Sequence, residues 1–221
     1  MIKDITISAL YAEIPAFLQP LFTNYTYPWE IVPHIKNYLY KLICTEPSGY
    51  TLYEDGILIG KDVTIHKSTT ILSPTIIGHG TEIRTGAFIR GGVVTGCGCV
   101  IGNSTEVKNS ILLDCVKLPH YNYVGDSILG KNVHLGASSI CSNLKADKKT
   151  ITVGDDTRID TGLKKLGAML GDDTEIGCGS VLNPGTIIGK RAIAYPLISL
   201  RGIYPEDSII KGTKNVVKRK A

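Results

Sequence analysis

The feature that most constrains this chain is a repeat of six. Stepping from Ile59, the positions Ile59, Ile65, Ile71, Ile77, Ile83, Ile89, Thr95, Ile101, Val107 and Leu113 are six apart, and all but Thr95 are aliphatic. A helix would repeat near 3.6 residues and an ordinary strand at 2, so neither produces this pattern. Small turn residues follow the ladder positions, as in Ile77-Gly78, Ile101-Gly102 and Ile176-Gly177, and the pattern resumes at Leu170, Ile176, Leu182 and Ile188. Each hexapeptide therefore reads as one short strand and one corner. Three make a triangular coil, and the aliphatic side chains stack into an axial core. Residues 57 to 195 supply roughly seven such coils. The chain holds 24 Gly but only 3 Phe and 1 Trp, as a turn-rich fold with an aliphatic core requires. The expected fold is mainly β, a parallel β-helix over residues 51–200, between a helical N-terminal cap (1–50) and a basic tail (201–221).

Three stretches break the period. A five-residue step from Leu113 to Leu118 falls at 114–120, and the segments 142–150 and 161–168 are polar and out of phase. Excursions from a regular scaffold are where function tends to sit. In the first fifty residues the repeat is absent. Pro28 and Glu30 mark a helix start, and Ile31, Ile35, Tyr38, Leu39 and Leu42 follow at helical spacing. A shorter helix is expected over 8–18. An apolar helix face must pack somewhere, and the open end of the first coil, an exposed sheet edge, is the expected place.

Several function classes are disfavoured. A net charge of +4 is too small and scattered for nucleic acid; only the tail (Lys211, Lys214, Lys218, Arg219, Lys220) is a basic cluster, and a solvated end explains it. No segment reaches the ~18 apolar residues of a membrane span, and the first residues lack a signal-peptide pattern. The six cysteines form no Cys-x-x-Cys pair, so they read as reduced, and the expected location is the cytoplasm.

From Arg90 onward the residues resemble a family. Ile89-Arg90-Gly91-Gly92, Thr105-Glu106-Val107-Lys108-Asn109-Ser110, Leu118-Pro119-His120-Tyr121-Asn122-Tyr123-Val124-Gly125-Asp126, Leu135-Gly136-Ala137-Ser138 running to Asn143, Lys164-Lys165-Leu166-Gly167-Ala168 and Asn183-Pro184-Gly185 occur in that order. They are similar to the acetyltransferase half of the bifunctional N-acetylglucosamine-1-phosphate uridyltransferase/glucosamine-1-phosphate acetyltransferases, and more so to the C-terminal domains of archaeal sugar-1-phosphate nucleotidylyltransferases. The resemblance implies a left-handed β-helix and a homotrimer. It also implies acetyl transfer from acetyl-CoA to an amino-sugar 1-phosphate, glucosamine- or galactosamine-1-phosphate. By position, His120 is the expected catalytic base and Asn143 the residue beside the amine. Arg90, Lys108 and Tyr123 are expected to bind the sugar phosphate, with Lys149 reaching a neighbouring subunit. Ala137, Thr161 and Ala168 are expected along the acetyl-CoA arm. No metal is called for. Acetyl transfer to an amine needs a base that titrates near neutrality, which suits histidine, and a donor for the oxyanion. Residues 1–56 carry no resemblance to the relatives' Gly-rich nucleotidyltransferase domain, so pyrophosphorylase activity is not expected.

Departures from the family pattern keep rival readings open. His134, expected in the substrate site, stands where relatives have asparagine. Leu144 replaces a tyrosine, and Thr152 a lysine. A different amino-sugar acceptor, or a non-catalytic trimer that binds sugar nucleotides or acts as a scaffold, would also fit. A γ-type carbonic anhydrase shares the fold but needs two histidines five apart. His66, His79, His120 and His134 lie 13, 41 and 14 apart.

Overall fold

The computed structural model describes residues 3–45, 47–154, 158–212 and 215–219. Lys214 and Lys220 of the basic tail lie outside these. The chain forms a left-handed parallel β-helix whose first, second and third faces are sheets of nine, nine and seven strands. On the first face the order begins with Thr51–Glu54, antiparallel to Ile57–Ile59, and continues in parallel through Thr75–Ile77 and Val93–Thr95 to Ile203–Tyr204. The second face runs from Thr64–Ile65 to Ser208–Gly212, closed by antiparallel Asn215–Lys218. The third runs from Thr70–Ile71 to Ser199–Leu200.

The hexapeptide ladder is the axial core. Ile77, Ile83, Ile89, Ile101, Val107, Leu118, Val124, Leu135, Leu170, Ile176, Leu182 and Ile188 share one buried cluster. Thr95, the exception among the ten, lies inside as well, and its hydroxyl accepts from Gly78 N (2.8 Å). That bond satisfies a polar group that burial would otherwise penalise.

The five-residue step is placed differently from the sequence reading. Leu112, not Leu113, is in register with Thr95, and Leu118 with Ile101. The short step therefore runs from Val107 to Leu112, and a second runs from Val124 to Leu129, which pairs with Leu112. Leu113 is released outward into the cluster beneath the N-terminal segment. A run of consecutive aliphatics, Ile111-Leu112-Leu113, offers two registers to a six-residue count, and only the neighbouring rungs choose.

The N-terminal segment is not a lid on the first coil. Ile5, Leu10, Leu18, Phe22, Trp29, Ile31, Ile35 and Leu39 pack on the outward first-face residues Leu58, Ile76, Val94, Ile111, Ile128 and Met169. Those residues alternate with the ladder, so this face is apolar on both sides and must be covered. Asp172 pins the layer: its carboxylate accepts from Ala12 N (2.7 Å) and Lys131 N (2.8 Å), and its own N donates to Leu10 O (3.0 Å). The helices are shorter than expected, Ile7–Leu10, Gln19–Phe22 and Ile35–Cys44, with 3-10 turns at Lys3–Ile5, Pro28–Glu30 and Val32–His34. Pro15 and Pro33 account for this, since a proline lacks the amide proton and disfavours helix in the residue before it.

At the other end, the last rung (Ile203–Tyr204, Ser208–Gly212) lies within the stretch read as tail. Its spacing shortens from Leu200 to Tyr204, which hides it from a count by sixes. Among the described residues no helix is long and apolar enough to cross a membrane.

Candidate functional site

The third face and its two corners gather most of the expected site residues. Tyr123 points outward from this face, in register with Glu106 on one side and Ile140 on the other. At the corner leading to the first face, Arg90, Lys108, Gly125 and Ser142 occupy successive rungs. The next corner position carries Asn109, Asp126 and Asn143. Rungs are spaced about 4.8 Å, so side chains from neighbouring rungs touch.

Asp126 is the hub, although only 5% exposed. Its carboxylate accepts from Asn109 Nδ2 (2.7 Å), from Asn143 Nδ2 and, at 3.4 Å, from Lys108 Nζ. A carboxylate only accepts, so the Asn143 amide must turn its nitrogen inward. Asp126 and Asn109 adopt positive φ (49° and 45°), a conformation that Asp and Asn tolerate. Gly125 leaves the room: a Cβ there would lie 2.6 Å from Tyr123 Oη and 2.7 Å from Asn143 Nδ2. Burial, followed by the Glu106 and Asp126 charges, raises the Tyr123 hydroxyl above its ordinary pKa, while Arg90 and the Asn143 bond oppose the rise. Arg90 is held over the face by Glu106 (2.7 Å). Glu106, Asn109 and Asp126 lay in matched stretches but were assigned no role from sequence. For Asn109 and Asp126 the signal was the recurrence of Asn or Asp at the same corner, 17 residues apart.

His120 lies at the opposite corner, where the second face turns into the third. It is exposed, and its imidazole has no hydrogen-bond partner among the described residues. One strand, ~10 Å long at 3.3 Å per residue, separates this corner from the Asp126 cluster. Along the His120 corner, Ser138 N donates to His120 O, Gly179 N to Ala137 O and Leu197 N to Cys178 O. Ala137, Cys178 and Pro196 therefore stack in order below His120. His134 sits apart, outward on the second face, in register with Lys117 and Glu175, and its Nδ1 bonds Glu175 Oε2 (2.8 Å).

The remaining expected residues are not brought to either corner. Ala168 is fully buried in the axial core, its N on Ser127 Oγ and its O on Ile128 N. Thr161 binds Ile151 O through its hydroxyl (2.7 Å). The reason is the excursion after Cys141, which includes the antiparallel pair Thr152–Val153/Ile159–Asp160 and delays the next inner residue to Leu170. Stacking puts Cys178 and Pro196, rather than the Thr161 and Ala168 expected from the resemblance, at the corner below Ala137. Lys149 is exposed on the excursion, beside Asp147. Among the described residues no three His, Cys, Asp or Glu side chains converge as a metal would need. His66 and His79 serve locally, on Ser68 and Lys61 N.

Residues 71–195 match the family described as the GMPPB C-terminal domain. The chain belongs to this family. Every site residue named above, from Arg90 to Ala168, lies inside the segment that matches the GMPPB C-terminal domain, as do Cys178 and the whole excursion. A bifunctional protein GlmU of Methanococcus maripaludis is 40% identical over 91 residues, 41% of this chain and 22% of that protein. A bifunctional sugar-1-phosphate nucleotidylyltransferase/acetyltransferase of Sulfurisphaera tokodaii is 39% identical over 94 residues, 42% of this chain and 23% of that protein. The chain thus spans less than a quarter of the length of these curated relatives. Among solved structures, PerB from Caulobacter crescentus in complex with CoA and GDP-perosamine aligns at a TM-score of 0.41 and 18% identity, over 66% of this chain and 52% of that one.

Proposed function

We propose that this protein is an acetyl-CoA-dependent N-acetyltransferase acting on an amino-sugar 1-phosphate, with the acceptor on the third face. The observation that carries this reading is the pairing of the Asp126-centred cluster with His120, whose imidazole has no hydrogen-bond partner among the described residues, across one strand. Arg90 and Lys108 supply cations for the sugar phosphate, and Tyr123 lies between them and His120 as a wall with a polar tip. With its Nδ2 turned inward, Asn143 presents Oδ1 to an amine N–H. His120 is free to accept the proton that the amine loses as its nitrogen bonds the acyl carbon. When bound, acetyl-CoA supplies the acetyl group as a thioester, whose C–S bond breaks to release the thiol. Ala137, Cys178 and Pro196 line the corner offered to its arm. The names of the two archaeal relatives, bifunctional protein GlmU and bifunctional sugar-1-phosphate nucleotidylyltransferase/acetyltransferase, support the same reading.

The working unit is a homotrimer in this reading. The first face is occupied by the N-terminal layer, which leaves the second and third faces for subunit contact. His134 and Lys149, unattached to the Asp126 cluster in their own subunit, then face a neighbour's acceptor.

Product analysis tests the substrate. The protein is incubated with acetyl-CoA and glucosamine-1-phosphate, galactosamine-1-phosphate or the unphosphorylated amino sugars, and products are resolved by mass spectrometry. An acetyl gain on a 1-phosphate but not on the free sugars supports the reading. Acetylation of free sugars alone, or of none, removes it.

A further inference from the structure

A cavity of about 660 Å³ opens on the C-terminal side of Asn143, beneath the excursion. Lys145, Arg158 and Arg201 line it, with Asn183 and Pro184 below and Leu144 at the side. Arginines elsewhere are engaged: Arg84 with Glu82, Arg90 with Glu106, Arg191 with Asp207, and Arg219 with a backbone carbonyl. Arg158 and Arg201 are different. Neither guanidinium has an ion pair or hydrogen bond among the described residues, and both border this cavity. The carboxylate in its lining, Asp147, is already paired with Lys145 (3.3 Å). Among the described residues that leaves Arg158 and Arg201 without a paired carboxylate; like charges so gathered repel, and a bound anion relieves that cost.

We propose that this cavity binds a nucleoside diphosphate, separately from the acyl donor. Two guanidiniums offer paired donors to phosphate oxygens. Leu144, 42% exposed, and Pro184 provide an apolar wall for a base. The volume falls within the roughly 300–1,000 Å³ of small-molecule sites. The site lies at the corner between third and first faces, whereas His120 and Ala137 stand at the corner between second and third. The inference goes beyond acetyl transfer and does not rest on it, because Lys145, Arg158 and Arg201 are not part of the Asp126 cluster.

The test is calorimetric titration of the full chain with UDP and with ADP, alone and with saturating CoA. At least one nucleotide is expected to bind below roughly 1 mM, with affinity unchanged by CoA. Arg158→Ala/Arg201→Ala weakens it by about tenfold or more, as loss of charge-assisted bonds requires, without changing the melting temperature. Arg201→Gln, a milder change, weakens it in the same direction. No binding of either nucleotide, equal binding by the variants, or displacement by CoA overturns the proposal.

Discussion

Asn143 donates its Nδ2 to the carboxylate of Asp126, one rung away along the same corner of the β-helix. This bond fixes the orientation of an amide that the proposed reaction needs. Asp126→Asn keeps the size and tolerates the positive φ, but it replaces one acceptor oxygen with a donor that cannot receive Asn143, Asn109 or Lys108. Loss of a hydrogen bond to a charged group costs about 1.5–3 kcal/mol. We expect kcat/KM for the sugar phosphate to fall by roughly 10- to 100-fold, with KM for acetyl-CoA little changed. Steady-state kinetics with both substrates varied checks this; an equal loss for both points to a purely structural role.

Thiol chemistry reports on the His120 corner. Burial pushes the Cys99 and Cys141 thiols up to about 12, so neither forms thiolate near neutrality. Cys178 is exposed two rungs below His120. Iodoacetamide labelling at pH 8, read by peptide mass spectrometry, should modify Cys178 and spare Cys99 and Cys141. Saturating CoA should slow Cys178 severalfold and leave exposed Cys44 unaffected.

If the proposed trimer forms through the third face, Ile140 is a sensitive position. It stands outward, 36% exposed, in register with Tyr123 and Val181. Ile140→Glu places a charge on that surface without touching the axial core. Light scattering coupled to gel filtration should give a trimer for the parent chain and smaller species for the variant. A monomeric parent contradicts the shared-site reading.

The last rung carries a pH-dependent pair. Arg191 holds the Asp207 carboxyl below its ordinary value through a two-pronged contact. A lowered carboxylate adds stability above its unfolded pKa and loses it as pH falls through the folded value. Asp207→Asn should therefore melt slightly lower than the parent at pH 7, with the gap closing in acid. The gap is small because both side chains are well exposed.

The ladder from Ile59 to Ile101 was legible in the sequence because each inner residue but Thr95 is aliphatic and each step is six. Legibility failed where local patterns compete. Ile111-Leu112-Leu113 conceals the short step, and Pro33 shortens a helix whose apolar spacing begins at Ile31. The corner cluster was half legible: Arg90, Lys108, Tyr123 and Asn143 stood out as charged or family-matched residues. Asp126, although inside a matched stretch, was given no role, because its importance lies in three partners brought together at one corner. Thr161 and Ala168, expected from the resemblance alone, lie away from both corners in this chain, because the excursion after Cys141 intervenes before the next inner rung.

The most direct test of acetyl transfer at this site is the rate of CoA thiol release from acetyl-CoA with glucosamine- or galactosamine-1-phosphate, for the parent chain beside His120→Ala. General-base assistance contributes about 10²–10⁴-fold, so the account predicts acceptor-dependent release in the parent and a loss of that order in the variant, with the trimer intact. Equal rates in the two proteins, or no acceptor-dependent release in either, would contradict it.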